Sequence, residues 1–142
     1  MTISAIVSVD KNMGIGYKGQ LIVRNPIDMA FFCGYTQGKV CIAGHNTLKT
    51  LPNLANRVVK SAGWLDLWEY DGVVIMGGAK TYAKHGYAVD ELFITINEVE
   101  VEQVDTYFPI QEYQHLTKKD VMFRGEYEGM KFKIERWTEG DI

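Results

Sequence analysis

One carboxylate, that of Asp28, lies among apolar and aromatic side chains in the segment NPIDMAFF, residues 25–32. Because the burial of a charge is costly, a carboxylate in these surroundings needs a physical reason. One reason is structural: Asn25 caps a helix, Pro26 is its first residue, and Asp28 is an acid in its first turn. The other is functional: Asp28 faces a ligand pocket and binds a cationic or hydrogen-bond-donating group. The segment alone leaves both interpretations open.

Two apolar segments that end in glycine predict a site for an anion. IAGHNT turns at Gly44, and IMGGAKTY turns at Gly77 and Gly78, each into the predicted start of a helix. At such turns, unpaired backbone N–H groups and the helix dipole favour a negative ligand, and glycine lets a phosphate approach the backbone. Two such turns in one small chain predict a diphosphate held between them. Neither of these two turns carries a GxGxxG pattern, which excludes the usual Rossmann arrangement at them.

Short apolar runs rich in β-branched residues predict the buried strands that must position these groups. They cover residues 3–9, 39–44, 57–60, 72–78 and 91–101. Apolar residues at helical spacing predict a helix over residues 26–38, and a second helix over 79–85 follows the two adjacent glycines. Residues 45–51 fit one or two helical turns, and residues 62–70 fit a short helix.

The remaining segments complete the predicted architecture. Residues 10–20 contain three glycines and are predicted to form a mobile loop. Two alternating segments, 118–127 and 130–137, predict an antiparallel hairpin. Strands that alternate with helices predict a single α/β domain over residues 1–142, with helices on both faces of the sheet and the hairpin at its edge.

The composition bounds the class of protein. A length of 142 residues with 46% hydrophobic and 23% charged residues is typical of one globular domain. The net charge of −3, without a cluster of lysine and arginine, gives no electrostatic footprint for nucleic acid, and no apolar run has the length of a membrane span. Cys33 and Cys41 lack the CxxC spacing and are interpreted as reduced thiols of a cytoplasmic protein. Because His45, His85 and His115 form no metal-like cluster with them, no metal site is expected.

Five segments of the chain, in order, resemble the dihydrofolate reductase family. ISAIVSVDKNMGIGYKGQL is similar to the first strand and mobile active-site loop of that family, and NPIDMAFF to the helix that carries its single catalytic acid. GKVCIAGHNT is similar to its second strand and first cofactor-binding turn. VIMGGAKTY matches its Gly-Gly turn with a following tyrosine, and LFITINEVEVEQVDTYFP matches a strand with the later DT-x-FP signature. The resemblance covers nearly the whole chain.

The resemblance implies a dihydrofolate reductase-like fold, with a mixed, mostly parallel sheet flanked by helices and a C-terminal antiparallel hairpin. It implies NADPH-dependent reduction of 7,8-dihydrofolate by hydride transfer in a cytoplasmic monomer, with no nucleic-acid, membrane or metal partner. In that reaction Asp28 would hydrogen-bond the 2-amino group and a ring nitrogen of the pterin. Thr95 would support the carboxylate from a neighbouring strand, although threonine is also ordinary in a strand.

The family's substrate pocket maps onto five further residues. Ile6, Val7, Phe32 and Met76 would line the apolar slot that holds the pterin and the aminobenzoyl ring, although each also fits a simple core position. Arg57 would clamp the α-carboxylate of the ligand, because a guanidinium pairs a carboxylate through two parallel hydrogen bonds. The alternative for Arg57 is a surface charge on a strand.

The resemblance also implies a set of cofactor-binding residues. Those at the two glycine turns and the helix starts that follow would hold the dinucleotide phosphates: Gly44, His45, Asn46, Thr47, Gly77, Gly78, Ala79, Lys80 and Thr81. Ile15 and Gly16 would cover the nicotinamide, and Tyr82 would lie beside it.

The chain departs from the family pattern at three places. Ile22 and Val23 stand where the family usually has proline and tryptophan, so that corner of the pocket is expected to be smaller and more open. The stretch between Gly44 and Gly77 is shorter than is usual, which would remove a helix and part of the adenosine-binding wall. At the position of His45, the family generally has an arginine near the cofactor phosphates. Together these departures predict weaker or less selective cofactor binding.

Three hypotheses therefore stay open from the sequence. The first is a compact, working dihydrofolate reductase. The second is a reductase of the same fold that acts on an aminopyrimidine of the riboflavin pathway, which Asp28 and Arg57 argue against. The third is a non-catalytic relative with a binding or structural role, which the shortened adenosine region would permit.

Overall fold

The computed structural model of the protein describes residues 2–44, Thr47, 58–61 and 72–140. Ten strands lie in these ranges: β1 (Ile3–Val9), β2 (Gly14–Tyr17), β3 (Gln20–Leu21), β4 (Val40–Ala43), β5 (Val58–Ser61), β6 (Val73–Gly77), β7 (Glu91–Asn97), β8 (Thr106–Tyr107), β9 (Lys118–Tyr127) and β10 (Met130–Thr138). Two α-helices lie wholly within the described ranges, α1 (Pro26–Thr36) and α2 (Ala79–His85), with short 3₁₀ turns at Gly86–Ala88 and Ile110–Tyr113.

Seven of these strands form the main sheet, in the spatial order β5-β4-β6-β1-β7-β10-β9. The first five run parallel to one another, while β10 runs antiparallel to both β7 and β9. This confirms the predicted mixed, mostly parallel sheet with a C-terminal antiparallel hairpin. The carboxyl ends of β1, β4, β6 and β7 consequently meet at one edge, which is where open α/β sheets bind their ligands.

The two faces of the sheet carry separate hydrophobic clusters. On one face, Phe31, Phe32 and Tyr35 of α1 pack against a cluster of buried strand residues that includes Phe93. On the other face, Tyr82 of α2 belongs to a larger cluster. The helices α1 and α2 therefore cover opposite faces, as the alternation of strands and helices predicts.

The predicted loop over residues 10–20 is wrong in part, because it contains the strand β2 and the first residue of β3. β2 pairs antiparallel with β3 and with β8, which gives a second, three-stranded sheet. Gly14 and Gly16 face Tyr107 and Thr106 across the β2–β8 ladder. Since glycine-rich segments have little strand preference of their own, the strand depends on a partner far along the chain, which local composition does not reveal.

Two boundaries differ from the sequence prediction, and two predicted elements lie outside the described residues. β7 ends at Asn97 rather than at residue 101, because the Val99 N–H turns back to the Asn97 carbonyl oxygen at 2.8 Å. Helix α1 ends two residues early, before Gly38, which adopts a left-handed φ of 76°. The predicted helical segment 62–70 is not among the described residues, and of 45–51 only Thr47 is. No described helix is long and apolar enough to cross a membrane.

Candidate active site

Asp28 lies in the first turn of α1, at the ligand-binding edge of the sheet. Asn25 has extended backbone angles and accepts the Asp28 N–H on Oδ1 at 3.1 Å, and Pro26 is the first helical residue. The capping interpretation of this segment is therefore confirmed. It does not exclude the functional interpretation, because capping uses the backbone of Asp28 and leaves its carboxylate to other partners.

The carboxylate of Asp28 is turned toward β7 and held there. Thr95, which is 2% exposed, donates its hydroxyl to Asp28 Oδ1 in a short hydrogen bond. Ser8 of β1 lies opposite Thr95 in the ladder. Burial raises the pKa of Asp28 above its usual range, while hydrogen bonds from Thr95 and Ser8 act in the opposite direction. A partly buried carboxylate fixed in this way is suited to bind a pair of N–H donors.

Three of the four residues predicted for the apolar slot are brought together. Ile6 and Met76 belong to one hydrophobic cluster, and Phe32 packs against it from α1. The structure differs from the sequence prediction at Val7, whose side chain belongs to the cluster on the opposite face, with Ile15 and Tyr82. The reason is the alternation of side chains along a strand, which sends Ile6 and Val7 to opposite faces of β1.

Tyr82 joins α2 to the central strand. Its hydroxyl donates to the Ile6 carbonyl oxygen at 2.6 Å, and its ring meets that of Phe108 edge-on with centroids 5.1 Å apart. Its own carbonyl oxygen accepts the Tyr113 hydroxyl at 2.8 Å. Complete burial raises the pKa of Tyr82 well above its usual range, so the phenol stays neutral and acts as a donor.

The two glycine turns lie against each other. The Gly44 N–H donates to the Gly77 carbonyl oxygen at 2.7 Å. A Cβ atom on Gly44 would lie 3.2 Å from Thr81 Oγ1, and one on Gly78 would lie 3.2 Å from Thr47 Oγ1. Gly77 has a φ of 124°, which only glycine adopts readily. Glycine backbone and the hydroxyls of Thr47 and Thr81 therefore lie close together where the two turns meet.

The remaining residues predicted for the cofactor are more dispersed. Ala79 is partly buried at the start of α2, whereas Lys80 is exposed. Ile15 is buried in β2, and the neighbouring Gly16 accepts the Asp105 N–H on its carbonyl oxygen at 3.1 Å. Three predicted residues lie outside the described part of the chain: His45, Asn46 and Arg57.

Two carboxylates anchor the segment around β2: Asp10, which the sequence analysis did not single out, and Asp105, the aspartate of the DT-x-FP signature. Asp10 is 1% exposed and accepts the N–H groups of Asn12, Gly14 and Val101 at 2.9, 2.8 and 3.2 Å. Asp105 accepts the Lys18 N–H at 3.0 Å. The signal for Asp10 was an aspartate directly after a buried strand, which is typical of a turn that uses its own side chain as an acceptor.

Ser8 and Asn97 were also missed, although both lie beside the Asp28 carboxylate or its helix. Each is a polar residue in a strand whose other members are largely buried, and that contrast is the available signal. Within the described ranges, no cluster of three or more histidine, cysteine, aspartate or glutamate side chains is suited to hold a metal ion.

Comparisons with known proteins place these features in a family. Residues 2–61 match the family model described as dihydrofolate reductase. The chain is 30% identical over 144 residues to the dihydrofolate reductase of Buchnera aphidicola subsp. Acyrthosiphon pisum, covering 87% of this chain and 88% of that one. It is 29% identical over 128 residues to the enzyme of that name from Haemophilus influenzae, covering 77% and 79% of the two chains.

A solved structure supports the same assignment at the level of the fold. The dihydrofolate reductase of Enterococcus faecalis, solved in complex with NADP(H) and RAB-propyl, superposes with a TM-score of 0.79 at 22% identity. The match covers 99% of this chain and 97% of that one. With a relative at 30% identity over most of both chains and the same fold throughout, the chain belongs to the dihydrofolate reductase family.

Proposed function

We propose that this chain reduces 7,8-dihydrofolate to 5,6,7,8-tetrahydrofolate with a hydride from NADPH. The observation that carries the proposal is the Asp28 carboxylate, held by Thr95 at the carboxyl edge of the sheet on the same face as Ile6, Phe32 and Met76. One charged acceptor beside an apolar slot matches a flat heterocycle that carries N–H donors at one end. The named relatives support the same reaction.

In this reaction the protein binds and polarises the substrate. Asp28 binds the 2-amino group and the adjacent ring nitrogen of the pterin through charge-assisted hydrogen bonds. Ile6, Phe32 and Met76 hold the ring flat and exclude water from one side, which fixes the reacting carbon in place. We assign delivery of the proton to a water molecule at the ring nitrogen next to that carbon, since Asp28 is committed to the far side of the ring.

The residues at the glycine turns fit a dinucleotide diphosphate. A Cβ atom would crowd the Thr81 hydroxyl at Gly44, the Thr47 hydroxyl at Gly78 and the Tyr82 hydroxyl at Gly77, so only glycine backbone leaves space for a ligand there, and Thr47 and Thr81 add hydroxyl donors. NADPH supplies the hydride when bound, and the related Enterococcus enzyme was solved with NADP(H). Ile15 and Gly16 are proposed to cover the nicotinamide, with Tyr82 and Val7 behind it. His45, Asn46, Ala79 and Lys80 are proposed to complete the phosphate site.

The alternatives considered from the sequence are less well supported. A non-catalytic relative gives no reason to keep a partly buried Asp28 with a dedicated hydroxyl donor, because burial of the ionised carboxylate costs stability unless a ligand uses it. Arg57 is proposed to clamp the carboxylate of the substrate's glutamate, which an aminopyrimidine of the riboflavin pathway lacks.

We further propose that the chain is one domain over residues 1–142 and acts as a cytoplasmic monomer. The outer strand β9 exposes Val121, Met122 and Phe123, which is a potential edge for pairing with another chain. A β-bulge interrupts its pairing with β10, and Lys118 and Lys119 stand at its start. Bulges and edge lysines are the devices that keep sheet edges from associating.

The deciding experiment is an assay of the purified protein with NADPH and dihydrofolate, followed by the loss of NADPH absorbance. Substrate-dependent oxidation that methotrexate inhibits supports the proposal. Oxidation that proceeds equally in an Asp28→Asn variant, or no oxidation by a folded protein that binds neither ligand, would contradict it.

A further inference from the structure

The side chain of Asn97 is a buried amide at the end of β7, with hydrogen bonds on both sides. It is fully buried. Its Nδ2 donates to Ser8 Oγ at 2.9 Å and to the Val9 carbonyl oxygen at 2.8 Å. Its Oδ1 accepts Nδ2 of Asn25, itself 7% exposed, at 2.9 Å. Asn25 Oδ1 in turn accepts the N–H of Asp28. Two amides thus connect the central strand to the first turn of α1.

The chemistry of the partners fixes the orientation of both amides. The Val9 carbonyl oxygen can only accept, so Asn97 must present its NH₂ group there. The backbone N–H of Asp28 can only donate, so Asn25 must present its oxygen to it. The two remaining atoms, Asn97 Oδ1 and Asn25 Nδ2, then face each other as acceptor and donor. A flip of either amide would place a donor against a donor on one side and an acceptor against an acceptor on the other. The pair therefore has one arrangement.

This arrangement also directs the hydroxyl proton of Ser8. Because Asn97 Nδ2 donates to Ser8 Oγ, it occupies an acceptor site of that oxygen. The Ser8 O–H is then left to act as a donor, and hydrogen bonding from Ser8 acts to lower the pKa of Asp28. Asn97 therefore contacts, through its Nδ2, the serine that acts on Asp28.

We propose that Asn97 is a positioning residue for Asp28 and acts on it by two routes. Through Asn25 it fixes the backbone of the turn that carries the acid, and through Ser8 it supplies a hydroxyl that stabilises the ionised carboxylate. Asn97 itself does not touch the substrate. The inference rests on the proposed function, which gives Asp28 its role as the ligand of the pterin, but its physical content is a property of the ligand-free protein.

A structural role alone would not need this polarity. Leucine has the same branched outline as asparagine, and together with an apolar residue at position 25 it would fill the same buried space without facing amides to satisfy, which is commonly the more stable solution. The presence of an amide with three well-formed hydrogen bonds, two of them leading toward Asp28, is therefore better explained by the placement of the acid than by packing.

The test is a titration of Asp28 in the ligand-free protein, followed by carbon-13 NMR of the carboxyl group. The Asp28 signal is identified by its absence from the spectrum of the Asp28→Asn variant. Ser8→Ala and Asn97→Leu are each expected to raise the pKa of Asp28. A rise of about half to one pH unit corresponds to the loss of one ordinary hydrogen bond. If Asn97 acts through Ser8, the double variant shifts the pKa little further than Asn97→Leu alone. The kcat/KM of Asn97→Leu for dihydrofolate should fall at neutral pH and recover as pH rises.

Two further variants separate positioning from stability. Val89→Ala removes a buried side chain from the opposite face and should lower the melting temperature without moving the titration of Asp28. Asn25→Ser keeps an N-cap oxygen for α1 but removes the donor to Asn97, so it replaces Asn97→Leu if that variant does not fold. Asn25→Ser should make the first turn of α1 less firmly fixed, and it should lower kcat/KM for dihydrofolate more than Val89→Ala does.

The outcomes decide the two proposals separately. If Ser8→Ala and the Asn97 or Asn25 variant lose stability but leave the pKa of Asp28 and the pH profile unchanged, the positioning role is overturned. If the titration moves as expected while the parent protein does not reduce dihydrofolate, the positioning role stands and the proposed function fails.

Discussion

The backbone N–H of Gly44 donates to the carbonyl oxygen of Gly77 at 2.7 Å, which joins the carboxyl ends of β4 and β6. This bond continues the β4–β6 ladder and holds the two glycine turns side by side. A Cβ on Gly44 would lie 3.2 Å from Thr81 Oγ1, which is tighter than ordinary contact, and 3.5 Å from Gly78 N. A side chain at position 44 would therefore force Thr81 to shift where the two turns meet.

Gly44→Ala should therefore weaken NADPH binding with little effect on the binding of dihydrofolate. We expect a loss of affinity of about tenfold, equivalent to about 1.4 kcal/mol, since the added methyl forces Thr81 or the ligand to shift. Gly34→Ala is the matched control, because a Cβ atom on Gly34 of α1 would have nothing within 4 Å of it. Equal NADPH dissociation constants for the parent and Gly44→Ala would remove this turn from the cofactor site.

Asp28→Asn should abolish most of the turnover and at the same time raise thermal stability near neutral pH. Activity falls because a neutral amide cannot bind the pterin as a charged acceptor, a difference of about 1.5–3 kcal/mol. Stability rises because burial raises the pKa of Asp28, so the folded protein bears an unfavourable charge once the acid ionises. Paired measurements of kcat and Tm on the two proteins check both effects.

The pH dependence of that stability gain has a definite sign. A carboxyl group whose pKa is raised on folding favours the folded state at low pH, and this contribution is lost as pH rises through the folded value. The Tm difference between Asp28→Asn and the parent should therefore be small in acid and grow toward neutral pH. A difference that is constant across this range would mean that Asp28 is not responsible for it.

Thr95→Val removes the hydroxyl that donates to Asp28 Oδ1 while it keeps the shape of the side chain. The pKa of Asp28 should rise further, because the bond stabilises the ionised form. We expect kcat/KM for dihydrofolate to fall by about tenfold near neutral pH and to approach the parent value as pH increases. Thr95→Ser, which keeps the hydroxyl, is the control, and a pH profile that is the same for Val and Ser at this position would contradict the assignment.

The elements that are dictated by local sequence were predictable, and those that depend on distant pairing were not. β1 and β6 are runs of apolar, β-branched residues, and their bounds follow from the chain itself. The hairpin of β9 and β10 follows from alternation on both sides of Gly129. β2 could not be predicted, because its glycines give it no strand preference, the adjacent β3 has only two residues, and its other partner β8 is separated from it by most of the chain.

The same distinction applies to the candidate site. Asp28 was recognisable as a carboxylate in apolar surroundings. The N-cap was recognisable because Asn25 is an asparagine directly before Pro26. The second bond of Asn25, to Asn97, was not predictable, because it requires the end of β7 to lie beside the start of α1. The placement of Val7 was available in principle, since adjacent residues of a strand cannot share one face.

Asp105 should act as an acid-sensitive tether for the segment around Lys18. Hydrogen bonds from the Lys18 N–H and the Thr106 hydroxyl lower the pKa of Asp105, so the tether is complete above the ordinary carboxyl pKa and is lost as pH falls through the lowered one. Asp105→Ala should speed exchange of the Lys18 amide hydrogen at neutral pH, measured by NMR. Glu102→Gln, at an exposed carboxylate in the same segment, should leave that exchange rate unchanged.

Arg57→Ala should discriminate between ligands with and without a glutamate tail. Dihydrofolate and methotrexate carry the α-carboxylate that a guanidinium would pair, whereas trimethoprim does not. Titration calorimetry of the variant should show a large loss of methotrexate affinity and a nearly unchanged affinity for trimethoprim. If both ligands lose affinity equally, Arg57 acts on the fold rather than on the ligand tail.

The facing amides of Asn25 and Asn97 constrain how the sequence can vary. Replacing either residue by an apolar one leaves a buried polar atom of the other without its partner, so the two changes together should cost less stability than the sum of the two single changes. The substitutions should consequently show strong positive epistasis. Among homologous sequences, the two positions should be exchanged as a pair, although they are 72 positions apart in the chain. Directed evolution that starts from this chain would reach such alternatives only by passing through a less stable intermediate.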